Sequence, residues 1–171
     1  MKKAIFYLLL GVLASVVQGS LLHMGMPVAV VPQLIVVLII ALAFTEVSTF
    51  GCVMAFSLGL VMDFSSAVLV GPWGGALVLV YGTLAVLSQR LFIESGIAAM
   101  VITFLAVVGA NILFSLFGTE YPSMTWEYPK QILGQSMVTA LVAPFLLGKL
   151  TKRGRRHSSV AHGRRQALSA V

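Results

Sequence analysis

The chain has 171 residues, 59% hydrophobic and 9% charged, with a mean hydropathy of +1.03. Soluble domains carry about 25% charged residues, so this chain cannot cover a water-facing surface, and the composition predicts an all-α integral membrane protein. Eleven Lys and Arg against five Asp and Glu give a net charge of +6, but seven of the basic residues lie from Lys149 onward. That placement speaks of topology and anionic lipid, and against nucleic acid, because no basic face with interleaved aromatics exists elsewhere.

Taken in order, the apolar runs predict six transmembrane helices, at about 4–22, 28–44, 49–70, 74–89, 97–117 and 130–149. Lys2-Lys3 ahead of the first run, with Val17-Gln18-Gly19 near its end, fits a cleaved signal peptide as well as an uncleaved helix. The second run begins at Val28, and Pro32 falls within its first turn, where a missing N–H does least harm. Gln33 is then an amide near the outer edge, read as an interfacial hydrogen-bonding group ahead of a ligand contact. Ser48 or Thr49 can cap the third run.

The stretch from Gly51 to Gly75 carries the strongest pattern. Gly51, Ala55, Gly59 and Asp63 recur at spacing four, so a helix stacks three small residues and one carboxylate on one face. A carboxylate within an apolar helix is costly and marks a functional or packing site. The helix either stops near Asp63 or continues to Val70. Gly71-Pro72-Trp73-Gly74-Gly75 is the clearest turn signal, and Trp73 suits a membrane–water interface.

Run four carries Tyr81 near its middle, and run five contains Asn111, a residue that commonly bonds a neighbouring helix in lipid. Tyr121, Trp126 and Tyr128 form an aromatic belt in the loop before run six. Ser136, Ala140, Pro144 and Gly148 repeat the spacing of four, and Pro144 is a candidate kink. From 151 to 171 the apolar pattern is lost, which predicts a disordered basic cytoplasmic tail in which Lys152, Arg153, Arg155 and Arg156 face anionic lipid. Six crossings place both termini on one side. With that side inside, the interior segments hold ten basic residues and the exterior loops only Lys130, so the positive-inside bias predicts N-in and C-in.

Enzyme motifs are absent from the sequence: no His-Glu-x-x-His, no Gly-x-Ser-x-Gly, no phosphate loop. The lone Cys52 reads as a small packing residue, and His157 and His162 are too isolated for zinc. No cofactor and no metal are expected. Phe56-Ser57-Leu58-Gly59-Leu60-Val61-Met62-Asp63, preceded by Gly51 and followed by the Gly-rich turn, resembles the signature of the bacterial rod shape-determining MreD family. Pro32-Gln33 occupies the place of the family's Pro-acid pair, with Gln33 instead of the acid, and the tail is longer and more basic than usual. The resemblance covers most of the chain by helix pattern but only about 25 residues by motif.

The resemblance implies a non-enzymatic scaffold in the bacterial inner membrane that serves cell elongation and lateral peptidoglycan synthesis. Its partners would be MreC and, through MreC, MreB, a penicillin-binding transpeptidase and RodA. It also implies a fold similar to the six-helix substrate-binding subunits of energy-coupling-factor transporters. On this reading Gly51, Ala55, Gly59, Asp63, Gly71 and Pro72 form a packing or partner face. The rival expectation is a small-molecule-binding subunit of a vitamin or metal importer, with Pro32, Gln33, Trp73, Tyr81 and Asn111 as candidate pocket residues. A third is a proton-coupled exporter using Asp63.

Overall fold

In a computed structural model of the protein, the described residues are 2–66, 71–89, 96–117 and 127–168, with side chains described over 4–65, 71–89, 96–117 and 128–150. They form six α-helices: α1 (Lys2–His23), α2 (Leu34–Thr45), α3 (Thr49–Ser66), α4 (Pro72–Ser88), α5 (Gly96–Phe117) and α6 (Glu127–Leu168). A single 3-10 turn, Val28–Val30, precedes α2.

The axis of the bundle is α2. Its nine residues from Ile35 to Ala43 are all buried, and α2 packs against each of the other five helices. A helix that is apolar on every side has no face to give to water or a headgroup, so it sits where neighbours surround it. The β-branched residues Ile35, Val36, Val37, Ile39 and Ile40 lose rotamer freedom in a helix, which complete burial offsets. By contrast α1 lies at the rim. Tyr7 and Ala14 face the bundle, whereas Leu9, Leu13 and Val16 are more than half exposed, as suits a helix whose other solvent is lipid.

The expectation of six transmembrane helices is corrected by helix length. Among the described residues, four segments are long and apolar enough to cross a membrane: Ala4–His23, Val28–Thr45, Gly96–Phe117 and Tyr128–Leu150. Thr49–Ser65 and Pro72–Ser88 are shorter, within 10–17 residues. The third run, predicted to reach residue 70, is helical to Ser66, and α4 has already begun at Pro72. The apolar residues 67–70 inflated the run, and they lie outside the described residues. The count of crossings is what changes; four is even as six is, so helix length does not overturn the placement of both termini on one side.

The protein is therefore an all-helical, multi-span membrane protein in which α3 and α4 pair as a shorter antiparallel hairpin beside α2. Opposed contacts define the pairing: Gly59 meets Gly74 at one end and Gly51 meets Tyr81 at the other. At the far end of the chain, α6 continues without a break past the span to Leu168, where composition alone predicts a disordered tail. Extension of a formed helix avoids the nucleation cost, and Ala, Arg, Lys, Gln and Leu all propagate it well. Pro144 lies inside α6 without ending it.

Candidate functional site

The Gly51–Gly75 hairpin owes its geometry to one carboxylate. Asp63 lies in the last turn of α3, is 1% exposed, and points at the start of α4. Its Oδ2 accepts from Gly71 N at 2.9 Å and Gly74 N at 3.2 Å, and its Oδ1 accepts from Trp73 N at 3.1 Å. A helix start leaves backbone N–H groups without partners, and normally its own N-cap side chain supplies an acceptor. Gly71, at the N-cap of α4, has no side chain, so Asp63 of the preceding helix does this work.

The remaining donors of that turn are also accounted for. Pro72 has no N–H, and Gly75 N bonds Gly71 O at 2.9 Å. Gly71 has φ of +126°, a conformation that a Cβ would oppose, and it turns the chain so that three N–H groups converge on one carboxylate. A carboxylate at a helix N-terminus is also favourable to the helix dipole. The Gly-Pro-Trp-Gly-Gly sequence is thus a carboxylate-receiving helix start rather than a plain turn.

The small face behind Asp63 is occupied from within the chain. A Cβ added at Gly59 would lie 2.5 Å from Gly74 Cα and 2.7 Å from Trp73 O, so α3 and α4 touch backbone to backbone there. Ala55 is fully buried on the same face. At Gly51 the absent side chain leaves room for the Tyr81 hydroxyl. That hydroxyl donates to Glu46 O at 2.5 Å and lies 3.2 Å from both Ser48 N and Ser48 O, so Tyr81 holds the α2–α3 connection. Ser48 Oγ in turn accepts from Gly51 N at 3.4 Å, which makes Ser48 the cap of α3. Tyr81→Phe is expected to lower stability by about 1–2 kcal/mol. In a Gly51→Ala background, where the hydroxyl is already displaced, the same change should cost close to nothing; denaturation of the four chains of this cycle measures the difference.

Four of the five candidate pocket residues are tied up in contacts of their own. Trp73 is 6% exposed and stacks on Phe114 of α5, with centroids 4.4 Å apart and planes at 20°, rather than standing at an interface. Tyr81 is at the opposite end of the hairpin. Asn111 Nδ2 donates to Val107 O at 2.8 Å, one turn back in its own helix, instead of across to a neighbour. Pro32 is half-buried ahead of α2, and Gln33, 2% exposed, is turned to α6.

Gln33 belongs to a polar joint that sequence reasoning did not assemble. Gln33 N donates to Thr139 Oγ1 at 2.9 Å, and Gln33 Nε2 donates to Gln135 Oε1 at 2.9 Å. Gln135, Ser136 and Thr139 are all buried. Their signal was present, three polar residues within five positions of an apolar run, but only Ser136 drew notice, as a small residue. Gln33 is therefore an amide buried within the bundle.

Of the predicted aromatic belt, Tyr121 and Trp126 lie outside the described residues, while the Tyr128 hydroxyl is 2.6 Å from Ser115 Oγ. The backbone of Lys152, Arg153, Arg155 and Arg156 is helical, and their side chains lie outside the described ones. Among the described residues, no three of His, Cys, Asp and Glu gather as a metal site. No known family, curated protein or solved structure matches the chain.

Proposed function

We propose that this chain is a non-catalytic scaffold of the bacterial cell-elongation machinery, of the MreD kind, acting in the cytoplasmic membrane by helix packing. The observation that carries the proposal is the use made of the motif's own residues. Asp63, Gly59 and Gly71 are bound up in closing α3 onto α4, so the stretch that bears the family resemblance has a structural job. Gln33, Trp73, Tyr81 and Asn111 each bond or stack within the bundle, which favours packing over a vitamin- or metal-binding importer.

The partner would be MreC, which connects to MreB, the penicillin-binding transpeptidase and RodA. Because α4 covers Gly51 and Gly59, the surface that meets MreC would lie elsewhere on the bundle. The basic stretch from Lys149 would add attraction to anionic lipid, about 1 kcal/mol for each residue near the surface. Co-expression of the full chain with MreC in bacterial membranes, followed by affinity recovery, tests the reading. MreC should be recovered, and depletion of the chain should turn rods into spheres. A folded chain that recovers no MreC, in cells that stay rod-shaped on depletion, would sink the proposal.

A further inference from the structure

Independently of that function, we propose that the broken start of α2 binds a small neutral hydroxylic ligand, water in the simplest case, at Gln33 Oε1 between α2 and α6. The span Val28–Thr45 is not one helix. A 3-10 turn ends at Val30, and α2 resumes at Leu34, so residues 31–33 are irregular backbone inside a membrane span. Such backbone is tolerated in lipid only where protein buries it or water reaches it. Val31 and Gln33 are each 2% exposed.

Several polar groups at the break have partners within the chain. Val31 N bonds Val28 O at 3.2 Å, Pro32 has no N–H, and Leu34 N bonds Pro32 O at 3.1 Å. Gln33 N and Nε2 donate to Thr139 and Gln135, and Gln33 O accepts from Val37 N at 3.4 Å. Among buried side-chain atoms of the described residues, Gln33 Oε1 is the one with no hydrogen-bond partner. Thr139 cannot turn to it without loss, since its hydroxyl donates to Gln135 O at 2.6 Å. Nor can α6 slide freely toward it. Gly134 lies so close to the 3-10 turn that an added Cβ would be 2.9 Å from Ala29 Cβ and 3.0 Å from Ala29 O.

The chemistry of the ligand follows from the groups around it. A carbonyl oxygen requires a donor, which excludes an anion. The adjacent N-terminus of the 12-residue α2 is the positive end of a helix dipole, which disfavours an ammonium or metal cation. A neutral donor remains, of which an O–H group is the smallest. It donates to Gln33 Oε1 beside the polar side chains of Gln135 and Thr139, which Gln33 already bonds.

The test uses the full chain in lipid nanodiscs, with the side-chain amide of Gln33 observed by NMR. Magnetisation transfer from water protons identifies water. Transfer from carbon-bound protons of a co-purified solute identifies a hydroxylated small molecule. Either result supports the site, and transfer from neither source overturns it. Thermal unfolding of Gln33→Met/Gln135→Met supplies a second reading with opposite signs. Removing both amides from a dry joint deletes an unpaired acceptor and raises Tm. Removing them from a joint that holds a ligand loses its bonds and lowers Tm by about 2–4 °C. A raised Tm overturns the proposal, and if the double variant does not fold, the NMR result on the unaltered chain decides.

Discussion

Asp63→Ala is expected to lower the stability of the chain by about 3 kcal/mol or more, because it strands several donors at once. The N–H groups of Trp73 and Gly74 are buried, and that of Gly71 is partly so; all three lose the same acceptor pair. An ordinary N-cap deletion costs about 1 kcal/mol because water replaces the lost side chain. Here the helix start is enclosed, so the desolvation penalty of each unpaired group is felt in full. Asp63→Asn should fall between the two, since one carbonyl oxygen remains for three donors while the amide directs its own N–H toward them. Hydrogen exchange locates the effect: Trp73 and Gly74 amides should lose protection before those of α2. The same series separates this role from proton-coupled export. A coupling acid replaced by Asn leaves the fold intact and stops transport, whereas a clamp replaced by Asn loosens α3 from α4. Stability of Asp63→Ala within about 0.5 kcal/mol of the parent would refute the clamp.

How much of this was legible in the sequence differs from element to element. The small-residue face and its terminal carboxylate could be read from spacing alone, because a helix puts every fourth residue on one side. What covers that face could not, because periodicity identifies a contact surface without naming its partner. The turn glycines signalled a reversal, yet their convergence on Asp63 depends on backbone direction at Gly71, where φ is +126°. The axial position of α2 was implicit in an eleven-residue run without a polar side chain, 34–44, but runs of that kind also suit lipid. Span counting failed at α3 and α4 because hydropathy carries through the junction between them, while helix length does not. Trp73 and Asn111 were given their commonest roles in membranes. Packing overrode both, through the Phe114 ring in one case and the Val107 carbonyl in the other. The Gln33 joint was out of reach, because its partners lie more than a hundred residues away on α6.

Gly59→Ala is expected to cost about 3 kcal/mol, the upper part of the range for an overpacked methyl group, although Ala is the better helix former. The added Cβ would meet Gly74 Cα at 2.5 Å, Trp73 O at 2.7 Å and Gly74 N at 2.8 Å. These are main-chain atoms of α4's first turn, so no side chain can swing aside. Ordinary carbon contacts lie at about 3.5–4.0 Å, and α3 must therefore retreat by about 1 Å. Asp63 is one turn along the same face, and its bonds of 2.9–3.2 Å would stretch beyond hydrogen-bonding range with that retreat. The two substitutions consequently remove one interaction twice, and Gly59→Ala/Asp63→Ala should destabilise by clearly less than the sum of the single changes. Two other glycines serve as controls. At Gly74 the nearest obstacle to a Cβ is the Phe56 ring at 3.1 Å, which is 46% exposed and free to turn, so Gly74→Ala should cost about 1 kcal/mol or less. Nothing lies within 4 Å of a Cβ at Gly82, where Ala should raise stability by about 0.5–1 kcal/mol through helix propensity. Equal effects at positions 59, 74 and 82, or full additivity of Gly59→Ala with Asp63→Ala, would show that α3 and α4 are not held backbone to backbone by one shared contact.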